Sequence, residues 1–93
     1  MVKHIILFTL KEDVDKQAAI RTAASALEPL VGKIPGLLRL EVREAFCGPD
    51  FVLYSEFDSR DSLNGYADHP LHIEAKKTFF HLLAARTPAD YEV

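Results

Sequence analysis

Residues 2–10 read Val-Lys-His-Ile-Ile-Leu-Phe-Thr-Leu, and this stretch decides the fold. Its β-branched and aromatic residues predict a strand, and the side chains of a strand point alternately to opposite faces. One face carries Val2, His4, Ile6, Phe8 and Leu10, and the other carries Lys3, Ile5, Leu7 and Thr9. Because both faces carry apolar residues, the strand requires cover on both sides.

An alanine-rich helix is predicted after this strand. It begins at Glu12 or Asp13, and Pro29 ends or kinks it near Glu28, because proline lacks an amide donor and clashes with the preceding turn. A stripe with helical spacing predicts the face that meets the core: Ile20, Ala24, Leu27 and Val31. Pro35-Gly36 then indicates a turn.

The second half of the chain predicts a hairpin, a short helical segment, a helix and a final strand. The hairpin strands are Leu37 to Phe46 and Phe51 to Phe57, and Asp58 or Ser59 caps the short segment. The second main helix runs from about His69 to Ala84, since proline at position 70 is tolerated in a first helical turn. Its inward stripe is His72, Ala75, Phe79 and Leu83, and the final strand is Asp90 to Val93.

The resulting order is βαββαβ, within one domain spanning residues 1–93. With right-handed crossovers it predicts an α+β, ferredoxin-like fold with a four-stranded antiparallel sheet and both main helices on one face. The set His4, Ile6 and Phe8, or the opposite set of that strand, then lies on the uncovered face. An exposed apolar sheet face favours an interface, and two sheets packed face to face in a homodimer would cover it.

Composition narrows the function classes. The chain has 93 residues, 48% hydrophobic and 27% charged, with a net charge of -3. These values are typical of a globular domain and argue against nucleic acid or an anionic membrane as a partner.

One cysteine, Cys47, excludes an intrachain disulfide framework and a cysteine-rich zinc site. With no apolar stretch long enough for a signal or membrane segment, we expect a cytoplasmic protein.

The densest group of polar residues is Tyr66-Ala67-Asp68-His69-Pro70-Leu71-His72. Either His69 or His72, at the start of a helix, would stay neutral and be available as a base near pH 7, because the positive helix N-terminus disfavours imidazolium. Tyr66 could donate to a substrate oxygen. The alternative is that His69 caps the helix, His72 is a half-buried polar residue and Tyr66 belongs to the core.

Other chemistries have weaker support. His4, His69 and His72 make a metal site conceivable, but no carboxylate is spaced to complete it, and we expect no metal. No positioned base accompanies Cys47. The glycines form neither a phosphate loop nor a dinucleotide fingerprint, so no cofactor is expected.

Three features together resemble one family. They are Val-Lys-His at 2–4 opening the first strand, Pro35-Gly36 before the second, and Tyr66…His69-Pro70…His72 at the helix start. In this combination the whole chain is similar to the stress-responsive A/B barrel (Dabb) family. The resemblance implies a ferredoxin-like subunit that forms a dimeric α/β barrel, in a family most of whose members have no established activity.

The resemblance also implies residue roles. In a plant polyketide cyclase of the family, a histidine at a helix start is the general base and a neighbouring tyrosine assists. These roles fall on His72 and Tyr66 as catalytic residues. The expected substrate-binding residues are His4, Ile6, Phe8, Leu27 and Phe79. This chain departs from the cyclase in having Phe51 in place of a pocket histidine, and small residues such as Ala23 where the cyclase has aromatics.

Three functional interpretations follow. The first is a small-molecule site for an apolar carbonyl compound, with cofactor-free cyclase-, lyase- or isomerase-like chemistry. The second is a non-catalytic stress-response or assembly protein whose apolar sheet face only forms the dimer. The third, a cofactor-free monooxygenase of related dimeric barrels, rests on fold analogy alone.

Overall fold

A four-stranded antiparallel sheet forms the framework of the protein. The computed structural model describes residues 1–93. Its elements, in chain order, are β1 (Val2–Leu10), α1 (Lys16–Leu27), β2 (Leu37–Glu44), β3 (Phe51–Phe57), α2 (Arg60–Asp68), α3 (Pro70–Lys77) and β4 (Leu83–Glu92). The strand order in the sheet is β2-β3-β1-β4. Single 3-10 turns follow α1 and α3. The fold is the ferredoxin-like α+β arrangement expected from the sequence.

Helix α1 begins later than predicted, because the carboxylate of Asp15 accepts a hydrogen bond from the Ala18 amide (3.0 Å) and so caps the helix. It ends at Leu27, just before the turn that contains Pro29, as predicted. Its buried face comprises Ala19, Ile20, Ala23 and Leu27. The predicted stripe is therefore wrong at Val31, which is exposed. None of the helices has the length and apolar character needed to span a membrane.

The secondary structure of the C-terminal residues differs from the sequence prediction. Helix α3 stops at Lys77 rather than near Ala84, and the last strand begins at Leu83 rather than at Asp90. The segment joins the sheet because residues 83–92 pair along the whole length of β1. Pro88 does not prevent this pairing, since β4 is an edge strand and needs only one of its two sides for the ladder.

The helices cover one side of the sheet. Val2, Ile6, Phe8 and Leu10 of β1 are buried beneath them, and His4 lies half-buried on the same side. Phe8 stacks on Phe51 with ring centroids 4.7 Å apart and meets Phe79 edge-on at 5.9 Å. Of the two alternatives left by the sequence, the set with Ile6 and Phe8 thus faces the helices.

The other side of the sheet has no cover within the subunit. We call it the open face. Its β2–β3 half is polar: Arg39 and Glu41 form an ion pair (3.3 Å), and Glu56 bonds to Lys3 of the adjacent β1 (3.0 Å). Apart from Lys3, the strand register and alternation give its β1–β4 half a smaller and more apolar set: Ile5, Leu7, Thr9, Ala85, Thr87, Ala89 and Tyr91. Strand β4 is exposed on both sides, because no helix lies over it.

Candidate ligand-binding and catalytic site

A cavity of about 340 Å³ lies between the helix side of the sheet and helices α2 and α3, beside the uncovered strand β4. Its volume falls in the range of small-molecule sites. All seven residues predicted for a site line it: His4, Ile6, Phe8, Leu27, Tyr66, His72 and Phe79. The structure thus brings them together in one place, and their roles in binding and catalysis stay predictions.

Tyr66 and His72 meet through a break between two helices. Tyr66 belongs to α2 and His72 to α3, and the helical direction changes at His69, whose Nδ1 accepts a hydrogen bond from the Leu71 amide (3.1 Å). Side chains six apart on one continuous helix would point to different sides. The break instead stacks the two rings with centroids 3.9 Å apart and planes inclined by 26°.

The environment of His72 keeps its imidazole neutral. Burial lowers the pKa of His72 from 6.5 to about 4, and the ammonium group of Lys76 contributes to the same lowering. Nδ1 of His72 lies 3.4 Å from the carbonyl oxygen of Ala67, to which it donates in the tautomer protonated at Nδ1. That tautomer leaves the lone pair on Nε2 free to accept a proton.

The hydroxyl group of Tyr66 is a buried donor without a partner. Tyr66 is 2% exposed, and its oxygen makes no hydrogen bond. Burial raises the pKa of this phenol above its ordinary value, so it remains protonated. An unsatisfied buried polar group costs about 1–3 kcal/mol, and a hydrogen bond to a ligand oxygen would remove that cost.

His4 is held by a residue that the sequence analysis missed. The pairing of β1 with β4 places His4 opposite Asp90, and its Nδ1 contacts the Asp90 carboxylate. This contact fixes the direction of the ring, whose centroid lies 6.4 Å from that of Tyr66. Only the β1–β4 register identifies Asp90, because the two residues are 86 positions apart.

Four more polar residues border the cavity, one from each of α2 and α3 and two from β4. They are Asn64, Lys76, Arg86 and Asp90. Lys76 follows His72 by four positions, a spacing that places both on one helix face, so its presence could have been inferred from the sequence. His69, in contrast, lies outside this cavity. No three His, Cys, Asp or Glu side chains stand close enough to hold a metal ion.

Comparison with known proteins identifies the family. The model of the Stress responsive A/B Barrel Domain family, Dabb, matches residues 2–93. The chain belongs to the Dabb family. A stress-response A/B barrel domain-containing protein of Arabidopsis thaliana, DABB1, is 29% identical over 89 residues, and the match covers 83% of this chain. It covers 40% of the Arabidopsis protein, so this Dabb chain spans less than half the length of that relative.

Two solved structures share the Dabb subunit fold closely. A dimeric protein of unknown function from Bacteroides fragilis is 36% identical, with a TM-score of 0.88 and coverage of 99% of this chain and 95% of that one. A dimeric ferredoxin-like protein of unknown function from Thermobifida fusca is 26% identical, with a TM-score of 0.84 and coverage of 99% and 90%. The dimeric state of both relatives supports self-association of this chain.

Proposed function

We propose that this Dabb protein binds a small apolar carbonyl compound and catalyses proton transfer at the carbon next to the carbonyl group, without a cofactor. One observation carries the proposal. A neutral imidazole and an unpartnered phenol lie ring against ring at the wall of a cavity lined by both apolar and polar side chains. A base and a hydrogen-bond donor are the two groups that enolate formation requires.

In the proposed step, Nε2 of His72 takes a proton from the α carbon. The electron pair of that C–H bond moves into the carbonyl group, and the Tyr66 hydroxyl donates a hydrogen bond to the oxygen that gains charge. His72 then returns the proton to the substrate. The proton and the electron pair of the broken C–H bond both remain within the complex of protein and substrate, so the step balances. Isomerisation, lyase and aldol-type reactions all begin in this way.

The apolar part of the lining would position the substrate against the base. General acid–base catalysis contributes about 10²–10⁴-fold, and orientation of the substrate against the base has to supply much of the remaining rate enhancement. Phe8, Leu27 and Phe79 form an apolar wall that would hold the hydrocarbon part of a ligand. The contact of His4 with Asp90 fixes a polar part of the same lining, next to β4.

The experiment is exchange of α protons in heavy water. A simple methyl ketone with an apolar tail, 2-nonanone, is incubated with the protein, and loss of its α-proton signals is followed by NMR. We expect faster exchange with the native chain than with His72→Ala. The matched control is His81→Ala, since His81 is an exposed histidine outside the cavity. Equal exchange with the native chain and His72→Ala would contradict the proposal.

Tyr66→Phe separates a catalytic from a structural role of the phenol. The change removes a buried hydroxyl that has no partner, so the free energy of unfolding should stay unchanged or rise slightly. The exchange rate should fall about 10²- to 10³-fold, because the oxygen that gains charge loses its donor. A variant that exchanges at the native rate would exclude Tyr66 from the reaction.

The alternative function is a non-catalytic assembly protein. It is favoured by the exposed apolar side chains of the open face, where Leu7 and Tyr91 are 39% and 50% exposed, and by the dimeric relatives. Under this interpretation the cavity would not take up 2-nonanone, and neither His72→Ala nor Tyr66→Phe would change any measured property except stability. The exchange experiment therefore decides between the two functions.

A further inference from the structure

Two cations border the cavity beside one aromatic ring. Nζ of Lys76, on α3, lies 5.3 Å from the ring centroid of Phe80, and the guanidinium carbon of Arg86, on β4, lies 5.8 Å from the same centroid. All three residues line the cavity. Neither cation forms an ion pair, whereas the neighbouring Lys77 bonds to Glu74 at 3.0 Å on the outer surface.

Neither of the two cations is paired with an acidic side chain, although one acidic residue lines the same cavity. The ring face of Phe80 attracts both cations, but each also repels the other. The only acidic residue of the cavity lining is Asp90, and its carboxylate contacts His4. An anionic group between the Lys76 and Arg86 side chains would make charge-assisted hydrogen bonds to both.

We propose that Lys76 and Arg86 bind the carboxylate of the ligand, so that the substrate class is an apolar monocarboxylate that also carries the carbonyl group. This inference rests on the proposed function, because it assigns the charged end of the ligand taken up in the same cavity. The hydrocarbon part lies against Phe8, Leu27 and Phe79, and the carboxylate lies at the cavity mouth.

Position and charge specify the ligand further. Lys76 lies one helical turn after His72, so the carboxylate is close to the base, a few bonds from the carbon that loses its proton. Two cations against one acidic side chain leave a single net positive charge among the lining Lys, Arg, Asp and Glu residues. A monoanion matches this charge, and a phosphate dianion exceeds it.

The bound carboxylate would also strengthen the base. Lys76 contributes to the low pKa of His72, so an anion bound to Lys76 and Arg86 should raise that pKa. The groups that face His72 or share its cavity are Lys76 from α3, Tyr66 from α2, His4 from β1, and Arg86 and Asp90 from β4. Among them, Lys76 and Arg86 are the only Lys or Arg side chains.

The test compares three probes with the same chain length: octanoate, 1-octanol and octyl phosphate. Calorimetry should show octanoate binding more tightly than 1-octanol and than octyl phosphate in its dianionic form, with only the charged probes weakened by added salt. Lys76→Gln and Arg86→Gln should each weaken octanoate binding about five- to ten-fold and leave 1-octanol binding unchanged. The controls are Lys77→Gln on the same helix and Arg21→Gln on the exposed face of α1.

NMR titration of His72 is the second readout. Octanoate should raise its pKa, 1-octanol should not, and Lys76→Gln should abolish the difference. Equal affinity for octanoate and 1-octanol would overturn the carboxylate site and leave the proposed function standing. The carboxylate site would also be overturned if octyl phosphate bound more tightly than octanoate. The same holds if Lys77→Gln and Arg21→Gln weakened octanoate binding as much as Lys76→Gln and Arg86→Gln. If none of the three probes binds, both the carboxylate site and the proposed function are wrong.

Discussion

At the residue scale, burial acts on the Tyr66–His72 pair in two ways. It removes the proton from the imidazole at neutral pH, since the pKa of His72 falls to about 4, and it keeps the phenol protonated because the pKa of Tyr66 rises. The pair is thus held as a free base next to a free acid. An imidazole with so low a pKa is unprotonated at neutral pH but is a weak proton acceptor. A ligand that raises this pKa would make His72 a stronger base.

The depressed pKa of His72 predicts a specific pH dependence of stability. The unfolded chain binds a proton at His72 below about pH 6.5 and the folded chain only below about pH 4. Unfolding therefore takes up a proton between these values, and stability falls as the pH is lowered through this window. Above about pH 6.5 both states are neutral, and the contribution is constant.

Denaturant unfolding of the native chain and of His72→Gln across this window checks the prediction. The glutamine variant should lose less stability between about pH 6.5 and 4, while both chains share the carboxylate titrations of residues such as Glu44 and Glu56, whose pKa values are lowered. His81→Gln, at an exposed site, should follow the native curve. Identical slopes for the native chain and His72→Gln would show that the pKa of His72 is not depressed.

The residues of the site differ in how far the sequence reveals them. His4, Tyr66 and His72 are identified by side-chain chemistry in a helix-start pattern and a strand. Asp90 and Arg86 are not, because their positions in the cavity depend on the pairing of β4 with β1, which joins strands from opposite ends of the chain. Local patterns cannot supply that register.

At the element scale, the same limit explains the error at the end of the chain. Phe79 is buried after the last turn of α3, so the apolar spacing of a helix continues past the point where the helix stops. Pairing with β1 then decides the state of residues 83–92. The sequence predicts the bounds of β1 and β3 correctly, because alternation and β-branched residues act locally in both.

The turn before β2 depends on one glycine. Gly36 has a φ of +81°, and a Cβ atom there would lie 2.1 Å from Oγ of Ser62 and 2.7 Å from a carboxylate oxygen of Asp58. Gly36→Ala should therefore combine backbone strain of about 1–2 kcal/mol with a clash of about 1–3 kcal/mol. We expect it to lower the free energy of unfolding by about 2–5 kcal/mol in denaturant titrations.

Gly48→Ala is the matched control for Gly36→Ala. Gly48 also has a positive φ, +101°, but a Cβ atom added there would have no other atom within 4 Å. Its alanine variant should lose only the strain, about 1–2 kcal/mol. Equal losses for the two variants would mean that the packing of Ser62 against the turn contributes nothing.

At the scale of the whole molecule, the two sides of the sheet have different surroundings. The helix side carries the cavity, and the open face carries charged pairs on its β2–β3 half and small or apolar side chains on its β1–β4 half. Ligand binding and self-association would therefore use opposite sides of the same strands. Strand β4 belongs to both, because it contributes Arg86 to the cavity and Ala89 to the open face.

We expect the chain to form a homodimer through its open face, with the β1–β4 half at the contact, because this half is the less charged. Leu7→Glu places a charge at its centre and should convert the dimer to a monomer, seen as a halved mass by light scattering after size exclusion. Leu71→Glu is the control, since Leu71 on α3 is 41% exposed against 39% for Leu7 and lies on the helix side. A dimer that survives Leu7→Glu, or one that Leu71→Glu dissociates equally, would place the interface elsewhere. Because the cavity lies on the opposite side, octanoate should bind the Leu7→Glu monomer as tightly as the native dimer.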